Sequence, residues 1–255
     1  MYPIAAGTVA PADPGGRPVR WAATGRFGGI SVAPFDSLNL ADHVGDDVTA
    51  VAANRVTVAG MVGLSGDRVC VLRPVHGADV AMVDSPGLVD GADGAVTRQP
   101  GLGLVALGAD CVPLALVGTD GQTVAAVHCG WRGLAADVVG AVVGVMRDQG
   151  TDVRLAVLGP AVCGRCYPVP AARAAELVAG ASAAVSGAAL ITTPDGQPGI
   201  DVRNGVRMRL AELGVAAARV RDVGGCTVED PGLFSYRRDG VTGRQGIIVS
   251  VVGAE

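Results

Sequence analysis

Two apolar runs, residues 112–117 and 123–127, flank the segment Gly118-Thr119-Asp120-Gly121-Gln122, and this pairing constrains the fold more than any other stretch. Asp-Gly between apolar runs supplies the residues that a tight reversal needs, so the spacing predicts a β-hairpin with Asp120 and Gly121 at its tip and Thr119 opposite Gln122. Continuing that antiparallel register places Pro113 opposite His128. Side chains alternate with period two, so Cys111 falls on the face that carries both, while Asp110 and Cys129 fall on the other. Cys111 and His128 are then diagonal neighbours, roughly 7–8 Å apart at the backbone and able to reach one atom between them. A thiol and an imidazole converging at the open end of a hairpin are half of a metal site or a Cys/His nucleophile pair.

The chain around this hairpin has 255 residues, 49% of them apolar, enough for a sizeable core. Only 17% are charged and the net charge is −4, which argues against nucleic acid as a partner. There is no lysine, so all 20 basic residues are arginine and a Schiff-base or P-loop lysine is excluded. Arginine is the one cation left for clamping phosphate or carboxylate. Residues 1–18 lack the basic and apolar regions of a secretory signal and read as a loose tail. The longest apolar-rich stretches, such as residues 134–146, are too short to span a bilayer. Six cysteines without an export signal read as reduced thiols, which points to the cytoplasm.

Strands are expected over residues 19–23, 69–75, 103–107, 154–158, 219–223 and 246–252. Helices are expected from Asp46-Asp47 to about Met61, over residues 134–150, between Pro170 and Gly180, and over residues 202–213. Residues 181–200 read as irregular and residues 235–240 as an exposed loop. No repeat or linker divides the chain, so one mixed α/β domain over residues 1–255 is the economical reading.

Of the three histidines, His43 lies in an Asp-rich loop and reads as solvated, whereas His76 ends a strand at a glycine turn, a placement that exposes a side chain in a cleft. His76, Cys111 and His128 could together hold zinc, with no fourth protein ligand in view, which is the arrangement of catalytic zinc. Cys111 as nucleophile with His128 as base fits the same spacing, and a core thiol beside two unrelated imidazoles is the plainer alternative. Cys163-Gly164-Arg165-Cys166 has no second CxxC and reads as two free thiols in a turn. Arg132 could hold an anion through its fork of donors, or make a surface salt bridge. Arg237 and Arg238 read as solvated loop residues.

Ala109-Asp110-Cys111-Val112-Pro113 and Val127-His128-Cys129-Gly130-Trp131-Arg132-Gly133 resemble the signature of the YfiH/PgeF family, once called the multicopper polyphenol oxidase or laccase-domain family. The likeness extends through residues 24–29, Ser37-Leu38-Asn39-Leu40, Asn54-Arg55, Val75-His76-Gly77, Cys226-Thr227 and Phe234-Ser235-Tyr236-Arg237-Arg238. The resemblance implies a layered α/β sandwich with mixed sheets, similar to cysteine-hydrolase toxins. It also implies a zinc ion on His76, Cys111 and His128, phosphorolysis of adenosine, inosine and methylthioadenosine, and adenosine deamination. Within that expectation Cys111, His128 and Arg132 are the catalytic candidates, and Arg26, Asn39 and Arg55 the candidates for binding nucleoside and phosphate. Pro74 and Pro168 stand where the family often has Gln and Glu, so an amide and a carboxylate are missing. Three histidines are too few for a multicopper laccase, although one copper could sit on the same ligands. The other readings the family name suggests are a Cys111/His128 amidase that edits peptidoglycan precursors, and a purine sensor without turnover.

Overall fold

The computed structural model describes residues 3–14 and 16–253. In chain order they form β1 (Ala5–Val9), β2 (Val19–Ala23), α1 (Val48–Met61), β3 (Val69–Arg73), β4 (Val80–Met82), β5 (Gly87–Asp90), β6 (Gly94–Thr97) and β7 (Gly103–Gly108). The hairpin β8 (Val112–Gly118) and β9 (Val124–Cys129) follows, then α2 (Trp131–Ala135), α3 (Val138–Asp148), β10 (Val153–Leu158), α4 (Ala171–Gly180) and α5 (Ala183–Ala189). The chain continues with β11 (Leu190–Thr192), β12 (Pro198–Ile200), α6 (Val202–Glu212), β13 (Val220–Asp222), α7 (Tyr236–Asp239) and β14 (Gln245–Val251).

Two mixed six-stranded sheets result, ordered β1-β2-β14-β7-β3-β5 and β13-β10-β8-β9-β6-β4. Period-two alternation explains how they stack. Ala115 and Val117 of β8, with Val124 and Ala126 of β9, pack against Leu104, Ala106, Ile247 and Val249 of the first sheet. The alternate residues Val112, Leu114, Leu116, Ala125 and Val127 pack against Val138, Val142 and Met146 of α3 and Val206 and Leu210 of α6. On its outer face the first sheet packs Val71, Val105 and Ile248 against Val58 and Ala59 of α1. The layers therefore run helix, sheet, sheet, helices, which is the mixed α/β sandwich expected.

The hairpin holds the centre of the second sheet, and Pro113 pairs with His128 as the parity predicts. Its tip is wider than two residues. Gly118 N–H bonds the Thr123 carbonyl at 2.8 Å, while Thr119 N–H turns to Asp152 and Asp120 accepts from the Gln122 and Thr123 amides. A four-residue loop preserves the register that a two-residue one would give.

Several expectations are corrected. Residues 5–9 of the supposed tail are an edge strand paired with β2, Gly7 lying against the Trp21 indole where a Cβ would meet ring atoms at 2.7 Å. Met1, Tyr2 and Gly15 lie outside the described residues. The helix expected over residues 134–150 is two helices, because Asp137 takes a left-handed conformation at φ 63° and caps α3 by accepting from Gly140 N–H. Arg209 holds that carboxylate with two 2.7 Å bonds. Residues 181–200 contain α5 and the β11/β12 hairpin. Their small side chains carry no visible 3.6-residue period, yet Ser182 caps α5 and Val185 and Ala189 are buried. Residues 236–239 form one helical turn, capped by Ser235.

Gln245, fully buried at the start of β14, brackets the backbone of Phe234: its Oε1 accepts the Phe234 N–H at 2.6 Å and its Nε2 donates to the Phe234 carbonyl at 2.9 Å. Removing the amide strands both backbone groups in the interior, so Gln245→Ala is expected to cost about 2–4 kcal/mol. A matched pair of urea denaturation curves measures this, and coincident midpoints would show that the bracket carries no stability.

Candidate active site

Three connections pass from the first sheet to the second, and each delivers polar side chains to one place. The link from β3 to β4 carries His76, that from β5 to β6 carries Asp93, and that from β7 to β8 carries Asp110 and Cys111. His76 and Asp110 both have positive φ, 64° and 105°, conformations that non-glycine residues adopt only when their surroundings hold them there. Asp93 holds the first. It is fully buried, and its carboxylate accepts the backbone N–H of Val75 at 3.2 Å, His76 at 3.0 Å and Gly77 at 2.7 Å. Asp110 secures the second by accepting from the Thr227 hydroxyl at 2.6 Å, the Ser235 hydroxyl at 2.8 Å and the Arg237 N–H at 2.6 Å.

Asp93 also sets His128. Its carboxylate lies 2.8 Å from His128 Nδ1 and its carbonyl accepts the His128 N–H, so the proton on Nδ1 points at Asp93 and Nε2 is left for the cleft. The rings of His76 and His128 meet edge to face at 4.8 Å. One ligand atom each from His76, Cys111 and His128 lies within 4.8 Å of the others. Gly130 completes the fit, since a Cβ there would press on the Cys111 sulfur at 2.9 Å and on His76 at 3.2 Å.

The electrostatics suit a cation. Burial alone would raise the Cys111 thiol, but the His128 and His76 imidazoles outweigh it and bring the group down to about 6. Burial likewise opposes charge on His128, yet the Cys111 thiolate and the Asp93 carboxylate push it up to about 9. Two imidazoles and a thiol that ionises easily are a donor set for zinc, and chemically also for copper, with the Nε2 proton of His128 given up when a cation binds.

Beside this cluster lies a cavity of about 790 Å³, within the size range of small-molecule sites. Four arginines line it: Arg132, Arg173, Arg237 and Arg244. Among the described residues none of the four has a carboxylate within 4 Å. Arg132 and Arg173 both lie against the Trp131 ring, at 5.2 and 5.3 Å, and Arg237 lies over Tyr167 at 5.1 Å. Four guanidinium groups without carboxylate partners facing one cavity have the chemistry to hold an anion.

The residues expected to bind substrate lie elsewhere. Arg26 pairs with Asp36 and Asp239, Arg55 pairs with Asp42 and donates to the Leu40 carbonyl, and buried Asn39 bonds Asp46, Ala41 and the Arg244 N–H. None of them lines the cavity. Their polar groups bond within the chain, and Asn39 fixes the backbone of the cavity residue Arg244. His43 and Arg237, read as solvated, line the cavity instead. Pro74 lines it too, and the Pro168 carbonyl accepts a bond from the Arg237 guanidinium, so that part of the wall is built by backbone rather than by a carboxylate. Sequence reasoning missed Asp93, Arg173 and Arg244. The signal for Asp93 is a carboxylate directly before the short small-residue run Gly94-Ala95-Val96.

Residues 20–252 match the family described as multi-copper polyphenol oxidoreductase laccase. A purine nucleoside phosphorylase of Mycobacterium tuberculosis is 46% identical over 235 residues, 91% of each chain, and one of Corynebacterium glutamicum is 40% identical over 243 residues, 93% of this chain and 96% of the relative. Among solved structures, the hypothetical protein YfiH of Bacillus licheniformis superposes with a TM-score of 0.83 at 26% identity, covering 94% of this chain and 97% of its own. YlmD of Geobacillus stearothermophilus superposes with a TM-score of 0.81 at 28% identity, covering 95% and 94%.

Proposed function

We propose, from the premise that this chain belongs to the multi-copper polyphenol oxidoreductase laccase family, that it catalyses phosphorolysis of purine nucleosides in the cavity beside Cys111. The observation that carries the reading is the set of four arginines without carboxylate partners facing the thiol and imidazole cluster. The relatives named purine nucleoside phosphorylase support it. The oxidase description fits less well, because three histidines cannot ligate a multicopper cluster.

Held by His76, Cys111 and His128, a zinc ion would supply a Lewis acid beside the cavity. The protein's own groups do the rest. Arg132, Arg173 and Arg244 bind phosphate and turn one of its oxygens toward the ribose C1′. That oxygen forms the new bond to C1′ as the bond to the purine N9 breaks, and the departing base takes up a proton. Burial, then the charge of Cys111, push the Tyr167 hydroxyl up, so it stays protonated and can donate to the leaving base. Trp131 and Tyr236 line the cavity, and their rings supply the apolar wall against which the purine packs. Adenosine, inosine and S-methyl-5′-thioadenosine share the reacting bond, and we propose all three as substrates. Adenosine deamination is proposed at the same centre and is told from phosphorolysis by its products. Reduced thiols throughout suit the cytoplasm as the site of action.

A second reading has one observation in its favour. Cys111, His128 and Asp93 stand in series as a thiol, an imidazole and a buried carboxylate, the order of a cysteine hydrolase, so a metal-free amidase is the alternative. Chromatography of adenosine incubations with and without phosphate separates the possibilities. Adenine and ribose 1-phosphate appearing only with phosphate supports the phosphorylase, inosine in both marks deamination, and amide cleavage by zinc-free protein would replace the reading with the hydrolase.

The anion assignment makes its own prediction. Arg132→Ala and Arg244→Ala should each raise KM for phosphate by at least about tenfold, the loss of a charge-assisted contact of ~1.5–3 kcal/mol. KM for adenosine should change little. Unaltered phosphate KM in both variants refutes the role.

A further inference from the structure

Cys163, Cys166, Cys226 and Glu229 bring one ligand atom each to within 4.8 Å of one another, and none of the four lines the cavity beside Cys111. We propose that these four residues form a second metal site, a structural one for zinc or a similarly thiophilic divalent cation.

The spacing is the first argument. Cys163-Gly164-Arg165-Cys166 is a C-x2-C pair, and Cys226-Thr227-Val228-Glu229 repeats the same interval with a carboxylate in the last place. Two ligand pairs of that spacing on separate loops are how small zinc sites are assembled. The local backbone agrees. The first pair spans a 3-10 turn closed by Cys166 N–H to the Cys163 carbonyl at 3.0 Å. A backbone bridge between Ala161 and Cys226 sets the second pair beside the first, and Cys163 N–H donates to the Cys226 sulfur at 3.3 Å.

Distances are the second argument. The Cys166 and Cys163 sulfurs lie 3.4 and 3.8 Å from the same oxygen of Glu229. A tetrahedral ion with bonds of about 2.3 Å to sulfur separates its donors by roughly 3.8 Å. Without an ion the two thiols donate to that Glu229 oxygen, which Arg165 also approaches at 3.5 Å, so the carboxylate already collects the donors that a cation would replace; a disulfide would need no carboxylate. All six cysteines are free. Four protein ligands close the coordination shell, the mark of structural rather than catalytic zinc.

The location gives the site a task. Tyr167, next to Cys166, lines the catalytic cavity, and Thr227, next to Cys226, donates to Asp110 beside Cys111. An ion there would staple the loop after β10, which brings Val162 and Tyr167 to the cavity, to the loop that leads into α7, which brings Tyr236 and Arg237.

Metal analysis of the purified, dialysed full-length protein tests this without any assay of activity. The expected content is two equivalents of zinc per chain, falling to one in Cys111→Ser and to one in Cys166→Ser, because each variant empties a different site. Cobalt substitution in the Cys111→Ser background should still give intense thiolate-to-cobalt absorption, which only the three-cysteine cluster could then supply. Glu229 is exposed, so Glu229→Gln folds whatever becomes of Cys166→Ser, and it should release its ion to a chelator at least about tenfold faster and lower Tm only in the absence of chelator. A Cys111→Ser protein with well under one equivalent of zinc and no cobalt–thiolate band overturns the second site, as does finding Cys163 and Cys166 oxidised to each other in the protein as isolated. Neither result touches the phosphorylase reading, which would fail separately if adenine release were independent of phosphate.

Discussion

Replacing Cys111 by serine is expected to lower kcat/KM for adenosine phosphorolysis by about a thousandfold, roughly 4 kcal/mol of transition-state stabilisation, in a protein that remains folded. A serine hydroxyl is of similar size but does not ionise near neutrality, so the donor that His128 and His76 bring down to about 6 is replaced by a neutral, harder one. Cys111 contributes little to the packing around it, being only partly buried and preceding the first residue of β8. The loss should therefore appear as lost metal and lost turnover, with an unfolding midpoint equal to that of metal-free wild type. A Cys111→Ser protein retaining metal and a tenth or more of its activity would remove the cluster from the reaction. His76→Ala separates the two readings of the site. His76 is exposed and stands outside the Cys111–His128–Asp93 series, so a metal-free hydrolase would tolerate its loss and a metal-dependent phosphorylase would not.

The part of the site readable in advance was the part governed by local rules. Period-two alternation and one Asp-Gly turn put Cys111 and His128 on a common face, and that survives even though the loop is wider than expected, because widening it symmetrically preserves the Pro113–His128 pairing. His76 could be singled out only by type and by its glycine neighbour, since its approach depends on the pairing of β3 with β7 in the other sheet. Long-range ion pairs were the blind spot. Arg26 and Arg55 look like free cations in the chain, and only the fold reveals that Asp36, Asp239 and Asp42 neutralise them, while among the described residues Arg173 and Arg244 have no carboxylate partner, Arg244 donating instead to the Thr242 and Gly243 carbonyls. Helix boundaries failed for a related reason. A left-handed Asp137 breaks the helical pattern because Arg209, 72 residues away, holds its carboxylate, and nothing within a turn of the chain announces that. Cys163 and Cys166 are the free thiols in a turn that the sequence suggests, and what the chain does not announce is that Cys226 and Glu229 come within 4.8 Å of them.

Asp93→Asn is expected to be the most damaging single substitution outside the ligand set, lowering metal affinity by about 10–100-fold and stability by about 3 kcal/mol. The change is isosteric and its consequence is electrostatic. The carboxylate accepts four bonds, three from the backbone of residues 75–77 and one from His128 Nδ1. An amide offers one acceptor and an N–H2 group that would face N–H donors in a fully buried site. Either the 75–77 turn loses a partner and His76 drifts from its positive φ, or the His128 ring turns and the wrong nitrogen meets the cleft. Both outcomes dismantle the ligand geometry from behind. The pH dependence supplies an independent mark. Burial would raise the Asp93 carboxyl, but the bonds from His128 and from the Gly77 and Val75 amides outweigh it and hold the group below its ordinary 3.8. A carboxyl depressed in the folded state contributes stability that is complete above the unfolded value and is lost as pH falls through the folded one. The wild-type protein should therefore shed this contribution below about pH 4, and Asp93→Asn, already lacking it, should lose less stability over the same acid range. Urea titrations of metal-free wild type and variant from pH 3 to 7, with chelator competition for the metal, measure both effects. Parallel acid limbs, or wild-type metal affinity in the variant, would show that Asp93 neither carries the turn nor orients His128.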